Sequence, residues 1–241
     1  MTPNSQALLR PPVPWPALAA LCTLLASLLL AGAALAHNVT AGDAGYVQEV
    51  TGFRPIAFIY LGAKHMVTGY DHLLFLAGVI FFLYRSKDIA TYVSIFAIGH
   101  SVTMVAGVWW QIAFNAYIID AIIAFSVVYK ALDNLGAFRL WFGVQPNTKA
   151  ATLAFGLLHG FGLATKIQSY DISPDGLLGN LIAFNVGVEL GQLMALALIL
   201  TAMIHWRARP AFARQAYAAN VLMMVAGFAL MGLQITGYFV A

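Results

Sequence analysis

The sequence predicts an all-α membrane protein, a polytopic bundle of about six transmembrane helices with a short partial helix and a signal peptide before them. Of the 241 residues, 61% are hydrophobic and only 9% are charged, and the mean hydropathy is +0.83. A soluble domain has about 25% charged residues. Long apolar runs alternate with short polar breaks along the chain. These observations together predict an integral membrane protein.

The N-terminus has the pattern of a signal peptide. Arg10 lies in a polar, proline-rich region, an apolar run follows at residues 17–35, and Ala34 and Ala36 form an A-x-A cleavage site. Cleavage would leave His37 as the first mature residue, whereas an uncleaved signal anchor is the alternative. The only cysteine, Cys22, lies in this segment. Its removal would exclude disulfides and thiolate metal ligands from the mature chain.

Six later apolar segments are each about long enough to cross a bilayer. Residues 52–66 form a shorter apolar segment interrupted by Arg54, Pro55 and Lys64, so we expect a partial or interfacial helix there. The predicted organisation is a signal peptide (1–36), a periplasmic segment with the partial helix (37–68) and the helix bundle (69–241). The six predicted spans are residues 69–84, 89–110, 112–132, 150–165, 177–204 and 217–240.

Basic residues in the short loops predict the orientation of the bundle. They follow the first, third and fifth spans, which places those loops in the cytoplasm. We therefore predict a multi-pass protein of the bacterial inner membrane with its mature N-terminus and its C-terminus in the periplasm. The net charge is only +3 and the basic residues form no continuous stripe, which argues against a nucleic-acid partner. The loop residues concerned are Arg85, Lys87, Arg139, Lys149, Arg207, Arg209 and Arg214.

Ionisable side chains inside the apolar segments indicate a functional site. Such groups are costly in hydrocarbon unless they face a cavity, pair with another group or bind a ligand. Imidazole combined with carboxylate is a ligand set for a divalent transition metal. The helical rise of about 1.5 Å per residue places these groups between the outer surface and the midplane, so we expect one chamber that opens outward. The residues are His65, Asp71, His72, His100, Asp120, His159 and Glu189.

Local spacing adds detail to this predicted site. His65 and His72 would share a face of a continuous helix, and a break at Gly69 would let both histidines and Asp71 close around one ion. Asn185 lies one turn before Glu189 and would orient the carboxylate or act as a weak ligand.

Further along the same helix, Gln192 would extend this polar stripe. Gly156 and Gly160 lie beside His159, and Gly187 and Gly191 bracket Glu189. Small residues at this spacing predict close approach of neighbouring helices.

Four motifs resemble the HupE/UreJ family of hydrogenase- and urease-associated membrane proteins. They are GYDHLLFLAGV (69–79), FAIGHSVT (96–103), FGLLHGFGLA (155–164) and FNVGVELGQL (184–193), and they occur in the order and spacing of the family. The resemblance implies a secondary permease for nickel, with cobalt as the second cargo. It implies that the His-x5-Asp-His element helps to select the metal.

On this resemblance the metal ligands are His65, Asp71, His72, His100, His159 and Glu189. Residues 42–46 also resemble the family branch that has a GDxGY segment after the signal peptide.

The ligand chemistry narrows the choice of metal. A set without sulfur favours Ni(II) or Co(II) over Cu(I), and zinc and copper rank behind them. Asp120, Asn185, Gln192 and His37 are candidates for accessory roles. The amine and imidazole of a mature N-terminal His37 would suit Cu(II), which is the strongest argument for copper. We find no nucleotide-binding glycine loop, so transport would use a gradient or a partner ATPase.

Two other classes of function fit parts of the pattern. An intramembrane zinc-dependent hydrolase would use several histidines and Ser101 around an ion that activates water. An accessory membrane subunit would deliver metal, copper included, to a maturing metalloenzyme. The permease interpretation predicts a protein that is not an enzyme, whose partners are the lipid bilayer, the metal ion and metalloenzyme maturation or membrane proteins.

Overall fold

A computed structural model describes residue 49, residues 51–169 and residues 173–240. The predicted signal peptide and His37 lie outside the described residues. Apart from the isolated Glu49, the helices of the described part are α1 (Pro55–Thr68), α2 (Tyr70–Ile80), α3 (Ser86–Trp109), α4 (Ala116–Asn134), α5 (Ala137–Phe142), α6 (Thr148–Gln168), α7 (Leu177–Arg207) and α8 (Phe212–Val240). Over this range there is no strand. The predicted all-helical membrane bundle is confirmed.

Four of these helices, α3, α6, α7 and α8, are each long and apolar enough to cross a membrane. The 19-residue helix α4 lies among them and carries three charged side chains: Asp120, Lys130 and Asp133. The remaining crossing, which is the first along the chain, is divided between α1 and α2. Helices α2, α4 and α7 all end at the same end of the bundle. We name it the basic end, because five basic residues lie there: Arg85, Lys87, Arg139, Lys149 and Arg207.

Three helix pairs make the most extensive contacts: α1 with α7, α3 with α6, and α4 with α8. The first two pairs are parallel, since residues later in one helix meet residues later in its partner, as Phe96 meets Gly156 and His100 meets Gly160. The third pair is antiparallel, because Asn134 bonds Asn220 while Tyr117 lies beside Gly237. Helix α2 packs between these pairs, chiefly against α4.

The first crossing is a broken helix. Gly69 joins α1 to α2 in an extended conformation (φ −75°, ψ 99°) that a continuous helix does not contain. Helix α2 has only 11 residues, about 16 Å of length, against a hydrocarbon core of about 30 Å. It finishes beside the end of α7, where Arg207 donates to the Ile80 carbonyl at 2.5 Å. The break therefore lies inside the bundle.

Helix α1 runs beside α7 along the whole length of α1. The Arg54 N–H donates to Asn180 Oδ1 at 2.8 Å, and Ile59 and Ala63 lie against Gly187 and Gly191 further along. Of the two alternatives predicted for residues 52–66, a partial or an interfacial helix, the structure agrees with the partial helix, because α1 runs parallel to the long helix α7 and packs against it. The break before Asp71 and His72 lies beside the middle of α7, since Met66 is next to Gly191 and His72 lines a cavity together with Gln192. A hydropathy pattern cannot distinguish a break inside a crossing from a loop before it.

Glycines allow two of the helix pairs to approach closely. A Cβ atom on Gly160 would lie 2.1 Å from the His100 carbonyl oxygen, and one on Gly187 would lie 2.0 Å from the Ile59 carbonyl oxygen. Both distances are too short for any side chain. The predicted small-residue packing around His159 and beside Glu189 is confirmed, and it brings α3 to α6 and α1 to α7 at the depth of the candidate site.

Candidate metal centre

Four histidines and one carboxylate meet at the break between α1 and α2. His65 comes from the last turn of α1, Asp71 and His72 from the first turn of α2, His100 from α3 and His159 from α6. The His72 ring is central, with centroid distances of 5.1 Å to His65, 5.0 Å to His159 and 6.0 Å to His100. Side chains from four helices therefore share one small volume, which we call the histidine cluster.

The tightest group in this cluster contains Asp71, His72 and His159. One potential ligand atom from each lies within 4.8 Å of the others, and the three residues are 1%, 4% and 1% exposed. Two ligands about 2 Å from a common ion lie at most about 4 Å apart. A small inward movement of these side chains would therefore suit one ion.

Asp71 fixes the orientation and tautomer of His72. The His72 Nδ1 atom lies 3.1 Å from Asp71 Oδ1, and we assign the proton to Nδ1 because an ionised carboxylate can only accept. The lone pair is then on His72 Nε2, which is buried and has no hydrogen-bond partner among the described residues. Carboxylate–histidine pairs of this kind orient metal ligands in many proteins. A Cβ on Gly69 would lie 2.7 Å from Nδ1, so a glycine at this position leaves room for the His72 ring.

Ser126 orients His159 in a comparable way. Its hydroxyl donates to the Ile123 carbonyl at 2.6 Å and lies 3.2 Å from His159 Nε2. Since the hydroxyl proton is used, Nε2 donates to Ser126 and the lone pair of His159 is on Nδ1. Ser126 was not predicted from the sequence. Its signal was weak, a single hydroxyl within the apolar run of residues 121–128.

His100 has a different environment from the other histidines. It is 1% exposed, its ring stacks on Phe96 at 6.2 Å, and neither ring nitrogen has a partner within the described residues. A buried polar group without a partner costs about 1–3 kcal/mol. Neutral imidazoles with lone pairs near a carboxylate match the donor set of a divalent transition metal, so the residues fit the predicted cargo.

The predicted residues of α7 lie outside the tight group. Glu189 and Asn185 are half-buried, and Asn185 Oδ1 is a buried acceptor without a partner in the described part of the chain. Gln192 is 1% exposed and lines a small cavity together with His72. Of this stripe, Gln192 is therefore the side chain that the structure places against the histidine cluster.

Asp120 forms an ion pair instead of joining the cluster. Lys166 Nζ lies 2.8 Å from its Oδ2 atom and 3.0 Å from its Oδ1 atom, which links α4 to α6 near the end opposite the basic end. The two side chains are 6% and 14% exposed. The lysine compensates the carboxylate, so a metal is not needed to explain why this aspartate is buried.

We therefore expect Asp120→Asn to leave the affinity for Ni(II) within about threefold of wild type while lowering thermal stability, since Lys166 would lose its counterion. Equilibrium dialysis with Ni(II) and a thermal unfolding curve of the same preparation would measure both quantities. A loss of affinity beyond tenfold at unchanged stability would instead identify Asp120 as a ligand.

A second buried ion pair, within α4, was not predicted from the sequence. Lys130 Nζ lies 2.5 Å from Asp133 Oδ2, and the two side chains are 8% and 6% exposed. Asp133 also accepts a hydrogen bond from Gln145. The available signal was a lysine inside an apolar run with an aspartate three residues later.

Comparison with known proteins agrees with the motifs. The sequence profile of a family described as HupE / UreJ protein matches residues 41–241. No curated protein and no solved structure matches the chain. The matched family is one of membrane proteins linked to nickel and cobalt handling, and four long apolar helices agree with a membrane location. The match covers every helix described above, and the chain belongs to the HupE/UreJ family.

Proposed function

We propose that this protein is a secondary permease for a divalent transition metal, with nickel as its principal cargo and cobalt as its second. The observation that supports this most strongly is the buried histidine cluster at a break in a membrane-crossing helix. Transporters commonly bind their cargo near the midplane at discontinuous helices, where the two halves can move separately. We infer that α1 and α2 are such halves and that the ion binds between them.

The proposed ligands are His65, Asp71, His72, His100, His159 and Glu189. Neutral imidazoles supply lone pairs without adding charge, and Asp71 offsets part of the ionic charge in a medium of low dielectric constant. We propose that Glu189, half-buried on α7, meets the ion on its way to the cluster. An ion held chiefly by neutral ligands is also released more readily than one in a cage of carboxylates.

The choice of metal follows from the donor atoms. Imidazole suits Ni(II), Co(II), Cu(II) and Zn(II), whereas the carboxylate disfavours Cu(I) and the absence of thiolate in the described part of the site removes the strongest zinc and copper donors. We propose import from the periplasm across the bacterial inner membrane, with the basic end in the cytoplasm. We propose a role without hydrolysis, because the hydroxyl that lies beside His159, that of Ser126, donates its proton to the Ile123 carbonyl and not to the histidine.

Uptake of radiolabelled metals into proteoliposomes tests this proposal. We expect saturable uptake of Ni(II), and weaker uptake of Co(II), by the wild-type protein. His72→Ala should reduce Ni(II) uptake at least a hundredfold, because it removes the central ligand, and Glu189→Gln should reduce it about tenfold or more.

The matched control for this assay is His205→Ala. His205 is an exposed histidine at the basic end that bonds the Thr201 carbonyl at 2.8 Å, and its loss should leave uptake unchanged. If no metal enters with any variant while the purified protein retains stoichiometric zinc, the hydrolase alternative replaces the permease. If uptake is normal without His72, the proposed site is wrong.

A further inference from the structure

A small cavity lies against the histidine cluster, bounded by α1, α2, α3 and α7. Its volume is about 10 Å³, which corresponds to the space that one water molecule occupies. The polar side chains of His72 and Gln192 and the phenol ring of Tyr92 line it, and the rest of the wall is apolar, including Phe75 and Phe96. A space of this size cannot contain an ion with a complete hydration shell.

Each of the side chains of His72 and Gln192 has a buried nitrogen without a hydrogen-bond partner among the described residues. Gln192 is 1% exposed and its Nε2 atom has no hydrogen-bond partner among the described residues, and the same holds for Nε2 of His72. The Gln192 amide is a donor at Nε2, whereas His72 Nε2 carries a lone pair because its Nδ1 proton is held by Asp71. One water molecule can accept from the first and donate to the second.

We propose that this cavity is a binding site for a single water molecule that bridges Gln192 and His72 and becomes a ligand of the transported ion. The inference rests on the proposed function, since it names the ligand that completes the coordination of the ion at His72. When the ion binds, His72 Nε2 gives its lone pair to the ion and no longer accepts a hydrogen bond from the water molecule. The water oxygen then binds the same ion. The protons of that water molecule then need an acceptor within the same cavity.

Gln192 can serve both states because its amide has a donor and an acceptor. Turning the amide plane by about 180° exchanges Nε2 for Oε1, which accepts a hydrogen bond from the metal-bound water. A leucine at position 192 would offer neither a hydrogen-bond donor nor an acceptor. Glutamate offers an acceptor only and would add a negative charge beside the ion, so Gln192→Glu should hold the ion more tightly and release it more slowly. The glutamine thus tunes the balance between binding and release.

The first experiment detects the water directly. The full-length protein is loaded with Co(II) in buffer made with ¹⁷O-enriched water, and the electron paramagnetic resonance spectrum is compared with that in ordinary water. We expect line broadening by a bound ¹⁷O ligand in wild type and its loss in Gln192→Leu. The matched control is Gln215→Leu, the same substitution at an exposed glutamine of α8 that does not line the cavity, and its broadening should persist. The proposal is overturned if the wild-type spectrum shows no ¹⁷O broadening, or if Gln192→Leu shows as much broadening as wild type.

The second experiment separates this proposal from the permease itself and does not depend on Gln192→Leu folding well. For Gln192→Glu we expect the dissociation constant for Ni(II) to fall at least fivefold while the uptake rate falls at least fivefold. If Gln192→Glu has the Ni(II) affinity and uptake of wild type while His72→Ala is inactive, the water site is refuted and the permease proposal is not. Unchanged uptake in His72→Ala would refute the permease site as well.

Discussion

Replacing Lys130 by methionine is expected to lower the free energy of unfolding by about 3–5 kcal/mol. Lys130 and Asp133 lie on the same helix with their charged atoms 2.5 Å apart, and both side chains are more than nine-tenths buried. Methionine fills a similar volume without the charge, so the loss comes from leaving the Asp133 carboxylate buried without a cation. Only the hydrogen bond from Gln145 would remain to it among the contacts of the described residues.

Two further variants isolate the cause. Lys130→Met combined with Asp133→Asn should recover most of the lost stability, because a neutral pair no longer contains an isolated charge. Arg85→Met removes a cation with the same three-residue spacing from Asp88, but that pair is 3.9 Å apart and 79% and 46% exposed, so its loss should not change the unfolding transition. Unfolding in mixed detergent provides the measurement. A double variant as unstable as Lys130→Met would show that packing, not charge, is responsible.

The second large effect is expected at Gly160, where α6 touches α3. A Cβ atom there would lie 2.1 Å from the His100 carbonyl oxygen and 2.2 Å from Thr103 Oγ1, and a backbone atom cannot move aside as a flexible side chain can. Gly160→Ala should therefore separate the two helices. We expect a stability loss of at least about 2 kcal/mol and a Ni(II) affinity at least tenfold weaker, because His100 and His159 move apart.

Gly232 is the matched control for this substitution. It lies in α8, and a Cβ atom added to it would have no neighbouring atom within 4 Å among the described residues. Gly232→Ala should therefore be neutral or should stabilise the helix by up to about 1 kcal/mol. Thermal unfolding and equilibrium dialysis with Ni(II) on both variants give the comparison. Equal behaviour of the two alanine variants would show that the close contact between α3 and α6 does not limit either stability or the site.

Much of the candidate site was predictable because burying a polar side chain in hydrocarbon is costly. His72, His100 and His159 stood out as histidines in apolar runs, and the structure brings them together. The glycines beside His159 also predicted the close helix contact that the structure contains. Family motifs added the order and spacing of these residues, and the family profile matches residues 41–241.

Other features depended on contacts between distant residues, which a single sequence does not specify. Asp120 has the same intramembrane pattern as Asp71, yet it pairs with Lys166, a residue 46 positions later. Gly69 was recognised as a potential break, but its depth depends on α1 packing against α7, more than 100 residues away in sequence. Ser126 looks like any isolated hydroxyl until His159 is seen beside it.

X-ray absorption spectroscopy of the protein loaded with one equivalent of Ni(II) tests the central claim most directly, that the ion binds at the histidine cluster. We predict nickel–nitrogen distances near 2 Å with the multiple-scattering pattern of at least two imidazoles. His205→Ala should retain this spectrum, and His72→Ala should lose it together with tight binding. A spectrum without imidazole scattering, or one that His72→Ala leaves unchanged, would contradict binding at the histidine cluster.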